Sequence, residues 1–288
     1  MKLTKVQGLS IVLVLVLVVS GIGLTSLYIQ KNDASNQASE SAARLQMTEV
    51  LLSVEARAWP ELLEISDNLT KASEELSALG LNGTEVRQVL KGAKDNMTYA
   101  VDTLTMDKNG VIVATYPSDY ESSEGTNISD QPHIVKVLKY KVPVMSEVFT
   151  TVEGFVAAAM HIPVFDLNGT FIGTVCATIN VQGLIDDIAA EELSGTTLQF
   201  LCLQTDGMEV YDTDEAQIGL NVFTDPVYNN YTEMKTFIRD KVIAESEGYG
   251  TYHFNRSLAS NEIVNKQAYW STFGLYGSEW RLVVLRAM

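Results

Sequence analysis

The strongest constraint on this chain is an uncharged run near its start, residues 9–29, LSIVLVLVLVVSGIGLTSLYI. As a helix rising about 1.5 Å per residue, roughly 21 such residues match the roughly 30 Å hydrocarbon core of a bilayer. One membrane pass is therefore expected. Lys2 and Lys5 are the charges that precede it, so the positive-inside bias leaves residues 1–30 as a cytoplasmic tip and anchor and sends the bulk of the chain outside the cell. The rival is a cleaved signal peptide with a weak small-x-small site at Gly21-Ile22-Gly23, but the run is long for such a signal and has no Ala-x-Ala.

The rest of the 288 residues contains no second run of that kind, and 46% hydrophobic content suffices for globular cores. Sequons at Asn68, Asn82, Asn96, Asn127, Asn168, Asn230 and Asn255 suit an exterior location. A net charge of −16 argues against nucleic acid, which needs clustered Lys and Arg. Cys176 and Cys202 lie in apolar, strand-like runs, compatible with one disulfide or, in preference, two buried thiols.

Residues 31–100 read as a helical stalk. Ala58, Leu62, Ile65, Leu69, Ala72, Leu76 and Leu79 alternate by fours and threes, a seam that would also suit a homodimer through the stalk. Pro60 is expected to kink or restart the helix. After Val101 short strands take over and the pattern repeats. MDKNGVIVATYP (106–117) is echoed by LQTDGMEVYDTD (203–214), and the meander ending in HIPVFDLNGTFIGTVCATI is echoed by the one ending in YWSTFGLYGSEWRLVVLRA. Each unit is a hairpin, a helix and three antiparallel strands, which makes the fold class α+β.

The segments DKNGVIVATYP, GTNISDQPHIVKVL, IPVFDLNGTFIGTV, QTDGMEVYDTDEAQIGLNVF and YWSTFGLYGSEWRLVVL, in that order, resemble the double Cache family of PAS-like extracellular sensor domains over residues 31–288. The resemblance implies a membrane-distal module at 101–192, a membrane-proximal module at 193–288, and a small-molecule ligand held in the distal module between its sheet and the overlying helix and loops. In the amino-acid-binding members, a Tyr, an Arg, an aromatic pair and an Asp clamp the ligand. Here the Tyr falls on Thr126, the Arg on Gln131, the pair on His133 and Ile134, and the Asp on Asp166. Without the cation that grips a carboxylate, some other small polar ligand is expected.

Strand alternation puts Phe155, Ala157, Ala159 and His161 on one face, where small alanines leave room for a ligand or accept a helix closely. The candidate ligand-binding residues are thus Tyr116, Gln131, His133, Phe155, His161 and Asp166, although Asp166 suits a turn better than a ligand and Tyr116 suits a core wall. No phosphate-loop, zinc-protease, nucleophile-elbow or dinucleotide motif occurs, so neither enzyme activity, nor a cofactor, nor a metal is expected. The acids at Asp206, Asp212 and Asp214 lack the spacing of a calcium loop. The function expected is an anchored extracellular sensor that signals through a separate membrane partner. The alternative is a cell-surface interaction protein with a vestigial pocket.

Overall fold

A computed structural model of the protein describes residues 34–151 and 156–288. The expected membrane span at 9–29 lies outside the described residues, and no helix among the described residues is long and apolar enough to cross a membrane.

Helix α1 (Ala34–Leu79) is followed by α2 (Thr84–Asp95). A first antiparallel sheet comprises β1 (Ala100–Asp107), β2 (Ile112–Tyr116), β3 (Val144–Met145), β4 (Phe149–Thr150), β5 (Val156–Phe165) and β6 (Phe171–Ile179), with α3 (Pro132–Tyr140) inserted. Helix α4 (Val181–Glu192) leads to a second sheet of β7 (Gln199–Gln204), β8 (Glu209–Asp212), β9 (Gly248–Asn255), β10 (Ile263–Phe273) and β11 (Trp280–Ala287). Its inserted helix is α5 (Thr232–Phe237), which continues as a π-helical turn, Ile238–Ile243. The strand orders, β2-β1-β6-β5-β3 and β8-β7-β11-β10-β9, are the same topology twice, so the repeat in sequence is a repeat in structure.

Period-two alternation assigns the two faces of the first sheet. Met160, Ile162 and Val164 of β5 and Val175, Ala177 and Ile179 of β6 face α1, whereas Leu104, Met106, Ala159 and Cys176 face α3. The second sheet divides likewise: Phe200, Leu282 and Val284 join the α1 core, and Leu203, Val283 and Leu285 pack with α5.

Helix α1 therefore backs both sheets. Its seam, Ala58, Leu62, Ile65, Leu69, Ala72 and Leu76, is at most 3% exposed, buried against the protein's own strands. The seam read as suiting a stalk homodimer is thus occupied by the protein's own sheets. Pro60 neither breaks nor restarts the helix, which runs through it, because Ala58 and Leu62 on either side are fully buried and packing outweighs one lost backbone hydrogen bond. Both cysteines are unpaired and buried.

The sheets are also joined directly. Ser278 Oγ donates to the Met145 carbonyl at 2.8 Å, Trp280 Nε1 donates to Glu147 at 2.8 Å, and the Val148 N–H donates to Gln204 Oε1. The segment that carries β3 and β4 is thus clasped by β7 and by the β10–β11 hairpin of the second sheet.

Candidate functional site in the first sheet

On the α3 side of the first sheet lies a cavity of about 40 Å³, large enough for a few waters at about 10–15 Å³ each. Strand β1 contributes Asp102 and Leu104, β5 contributes Ala159 and His161, and β6 contributes Cys176 and Thr178. The start of α3 adds Gln131 and His133, and the segment clasped by the second sheet adds Phe149 and Thr151. The side of the sheet is set by strand period: Asp102, Leu104 and Met106 alternate with Thr103 and Thr105, whose hydroxyls turn to α2 and the loop before it to donate to the carbonyls of Leu90 and Leu81.

Pro132 opens α3 with a fixed φ suited to a first helical position, and so places His133 in the first turn over the sheet. The His133 and His161 rings lie 5.4 Å apart, and Phe149 packs 5.1 Å from His133. His161 Nδ1 shares a 3.0 Å hydrogen bond with Thr174 Oγ1, while His133 Nε2 is buried with no hydrogen-bond partner among the described residues. Burial, reinforced by Lys136, lowers the pKa of His133 to about 4; burial, reinforced by His133, depresses that of His161 well below its ordinary value. Both rings are neutral at neutral pH and so offer a ring-nitrogen acceptor as well as an N–H donor. Among the described residues the cavity wall carries one carboxylate, Asp102, and neither Lys nor Arg to clamp a ligand carboxylate. Among the described residues no group of three or more His, Cys, Asp or Glu is arranged to hold a metal ion.

Of the six candidates, the structure brings Gln131, His133 and His161 together at this cavity. Phe155 lies outside the described residues. Tyr116 is elsewhere, packed against the α1 core with Lys91 Nζ 5.5 Å from its ring centre. Asp166 is also elsewhere: its Oδ1 accepts from the N–H groups of Asn168 and Thr170 at 2.9 and 2.8 Å, closing the β5–β6 turn. That turn geometry repeats at Asp107, whose Oδ1 accepts from Asn109 and Val111, so the acid serves the hairpin rather than a ligand.

Residues 60–181 match a protein-family model described as HK/GC/Chemotaxis protein-like, sensor domain. Over that segment the chain is similar to a sensor domain of this kind. The match runs from within α1 through β6 and so includes every element that lines the cavity. Among solved structures, the chain is similar to an extracellular ligand binding receptor from Desulfohalobium retbaense, at 28% identity and a TM-score of 0.69 over 84% of this chain. It spans 39% of the length of that receptor. It also shares its fold with the ligand-binding domain of the Pseudomonas aeruginosa amino acid chemoreceptor PctC in complex with GABA (12% identity, TM-score 0.61, 86% of this chain and 100% of that one). A third neighbour is the periplasmic sensory domain of the Campylobacter jejuni chemoreceptor Tlp1 (17%, 0.57, 83% and 91%). The chain matches none of the curated proteins at a significant level. These relatives by fold are sensor domains of receptors rather than enzymes, and the double Cache resemblance agrees with them.

Sequence reasoning about the sensor domain missed Asp102, Thr151 and Thr178. Asp102 had a readable signal, a charge on the same strand face as Leu104 and Met106 and therefore directed at a buried surface. Thr151 had none, because it reaches the cavity only through the fold of the β3–β4 segment.

Proposed function

We propose that this protein is the external sensing part of a receptor, anchored by residues 9–29 and passing its signal to a separate membrane partner, with a small polar ligand held in the cavity of the first, membrane-distal sheet. The observation that carries this reading is the buried cavity with two neutral histidines and an unpartnered His133 Nε2, inside the segment that matches a sensor family. Buried polar groups without partners are costly to a fold and are retained where a ligand completes them. The GABA- and amino-acid-binding neighbours support a small polar ligand in kind. The missing cation on the wall points away from an α-amino acid held by its carboxylate. Burial pushes the Cys176 thiol on the wall well above its ordinary pKa, which keeps it protonated and a poor nucleophile, and so favours binding over catalysis at this cavity.

A thermal-shift screen of the full chain in detergent against amines, carboxylates, purines and sugars tests the proposal. A ligand at 100 times its dissociation constant adds about 2.7 kcal/mol of stability, and Gln131→Ala or His133→Phe should remove the gain. A broad screen without hits would favour a surface interaction protein instead, a reading that the small size of the cavity keeps in play.

A further inference from the structure

The duplicated topology places a second cavity in the second sheet at the position equivalent to the first. Strands β7, β8 and β11 stand where β1, β2 and β6 stand, and the isolated bridge Met208–Asn221 repeats Val111–Asn127. Here the face turned away from α1 is roofed by α5 and the π-helical turn, and between roof and sheet lies a cavity of about 20 Å³. Leu203, Val242, Ala268 and Leu285 form most of its wall, joined by the rings of Phe237 and Tyr252, which stack 4.9 Å apart at 18°. A Cβ on Gly250 would stand 2.4 Å from the Phe237 ring, so glycine at that position is what lets the ring lie close on β9.

One charged group enters this wall. Glu209 is 4% exposed; its Oε1 accepts from the Tyr228 hydroxyl at 3.4 Å, and its Oε2 is buried with no hydrogen-bond partner among the described residues. The nearby cation does not fill that role, because Lys266 Nζ donates to Gln199 Oε1 at 3.0 Å and lies 5.3 Å from the Phe254 ring centre. A water is held well by two to four polar partners, which an aliphatic and aromatic wall with one carboxyl does not offer. A carboxylate or phosphate would be repelled. A small methylated ammonium suits this wall: its charge pairs with the carboxylate, and its methyl contacts the aliphatic and aromatic side chains around it.

We propose that the second sheet carries its own ligand site, in which Glu209, within a wall of aliphatic and aromatic side chains, binds a small methylated ammonium cation. This site is independent of the cavity at His133. The other ionisable groups that face Glu209 are Asp212, Asp214, Lys266, Tyr228 and Tyr252. Burial first, and the Asp212 charge second, favour the protonated acid, so the cation competes with a proton and binding weakens as pH falls.

The test is calorimetric titration of the full chain in detergent with methylammonium chloride, against sodium chloride of equal ionic strength. Saturable binding that sodium does not reproduce is expected. It should be lost in Glu209→Gln, which keeps the shape of the protonated acid, and weakened at least tenfold in Ala268→Val, which fills the cavity and leaves the carboxyl in place. It should persist in His133→Phe. Absence of saturable binding, equal binding in Glu209→Gln, affinity that rises as pH falls, or loss in His133→Phe alone would each overturn the proposal.

Discussion

His133 shows how one residue can be both a site candidate and a stability term. In the folded protein its pKa lies near 4, and in the unfolded chain near the ordinary 6.5, so between these values the unfolded state binds a proton that the folded state refuses. No penalty applies above about pH 6.5; stability then falls as pH drops and levels off near pH 4. At 1.36 kcal/mol per unit the full loss is about 3 kcal/mol, and about 2 kcal/mol of it is reached by pH 5. Urea denaturation at pH 7 and pH 5 should show at least that loss in the wild type, and His133→Phe should remove the ~2 kcal/mol share of His133 while that of the equally buried His161 persists. Parallel behaviour of the two proteins would show that the ring is not held neutral by burial. Identity alone did not reveal these residues' places. Gln131, His133 and His161 were legible as candidates because strand period and a helix start placed them, whereas Asp166 suited a turn better than a ligand, and its Oδ1 accepts two backbone N–H groups there.

Among the elements, α1 departs furthest from what local rules expect. Pro60 is exposed on its outer side and removes one i→i−4 hydrogen bond inside a 46-residue helix. Pro60→Ala restores that bond with a strong helix former and should stabilise the protein by ~1–3 kcal/mol, read as a higher denaturation midpoint. A lower midpoint would mean that the helix axis at residue 60 is bent to fit the sheets and that the proline sets the bend. The β3–β4 segment is the other informative element. It lends Phe149 and Thr151 to the first cavity while Ser278, Trp280 and Gln204 of the second sheet hold its backbone and Glu147. Ser278→Ala leaves the Met145 carbonyl without its donor and should cost ~1–3 kcal/mol. Restoration by Ser278→Thr would tie the effect to the hydroxyl.

For the molecule as a whole, the continuous core along α1 makes the two sheets one cooperative unit. Trp59, Trp270 and Trp280 report on α1 and the second sheet, and hydrogen exchange in β5 and β6 reports on the first. Unfolding followed by the two probes should coincide, and Leu69→Ala, at a fully buried position of α1, should lower both by ~2–5 kcal/mol. Two separate transitions would show that the sheets fold as independent domains joined by a passive helix. The sequence by itself determined the α+β class and the strand faces, which follow from periodicity within about ten residues, and the repeat, which follows from laying its two halves side by side. Only the tertiary structure decided that the α1 seam meets the protein's own sheets, that Asp102 and Thr151 share a cavity with two histidines, and that Glu209 enters the wall of a second one. Those outcomes depend on which apolar surface covers which, a choice among segments as much as two hundred residues apart that no local pattern encodes.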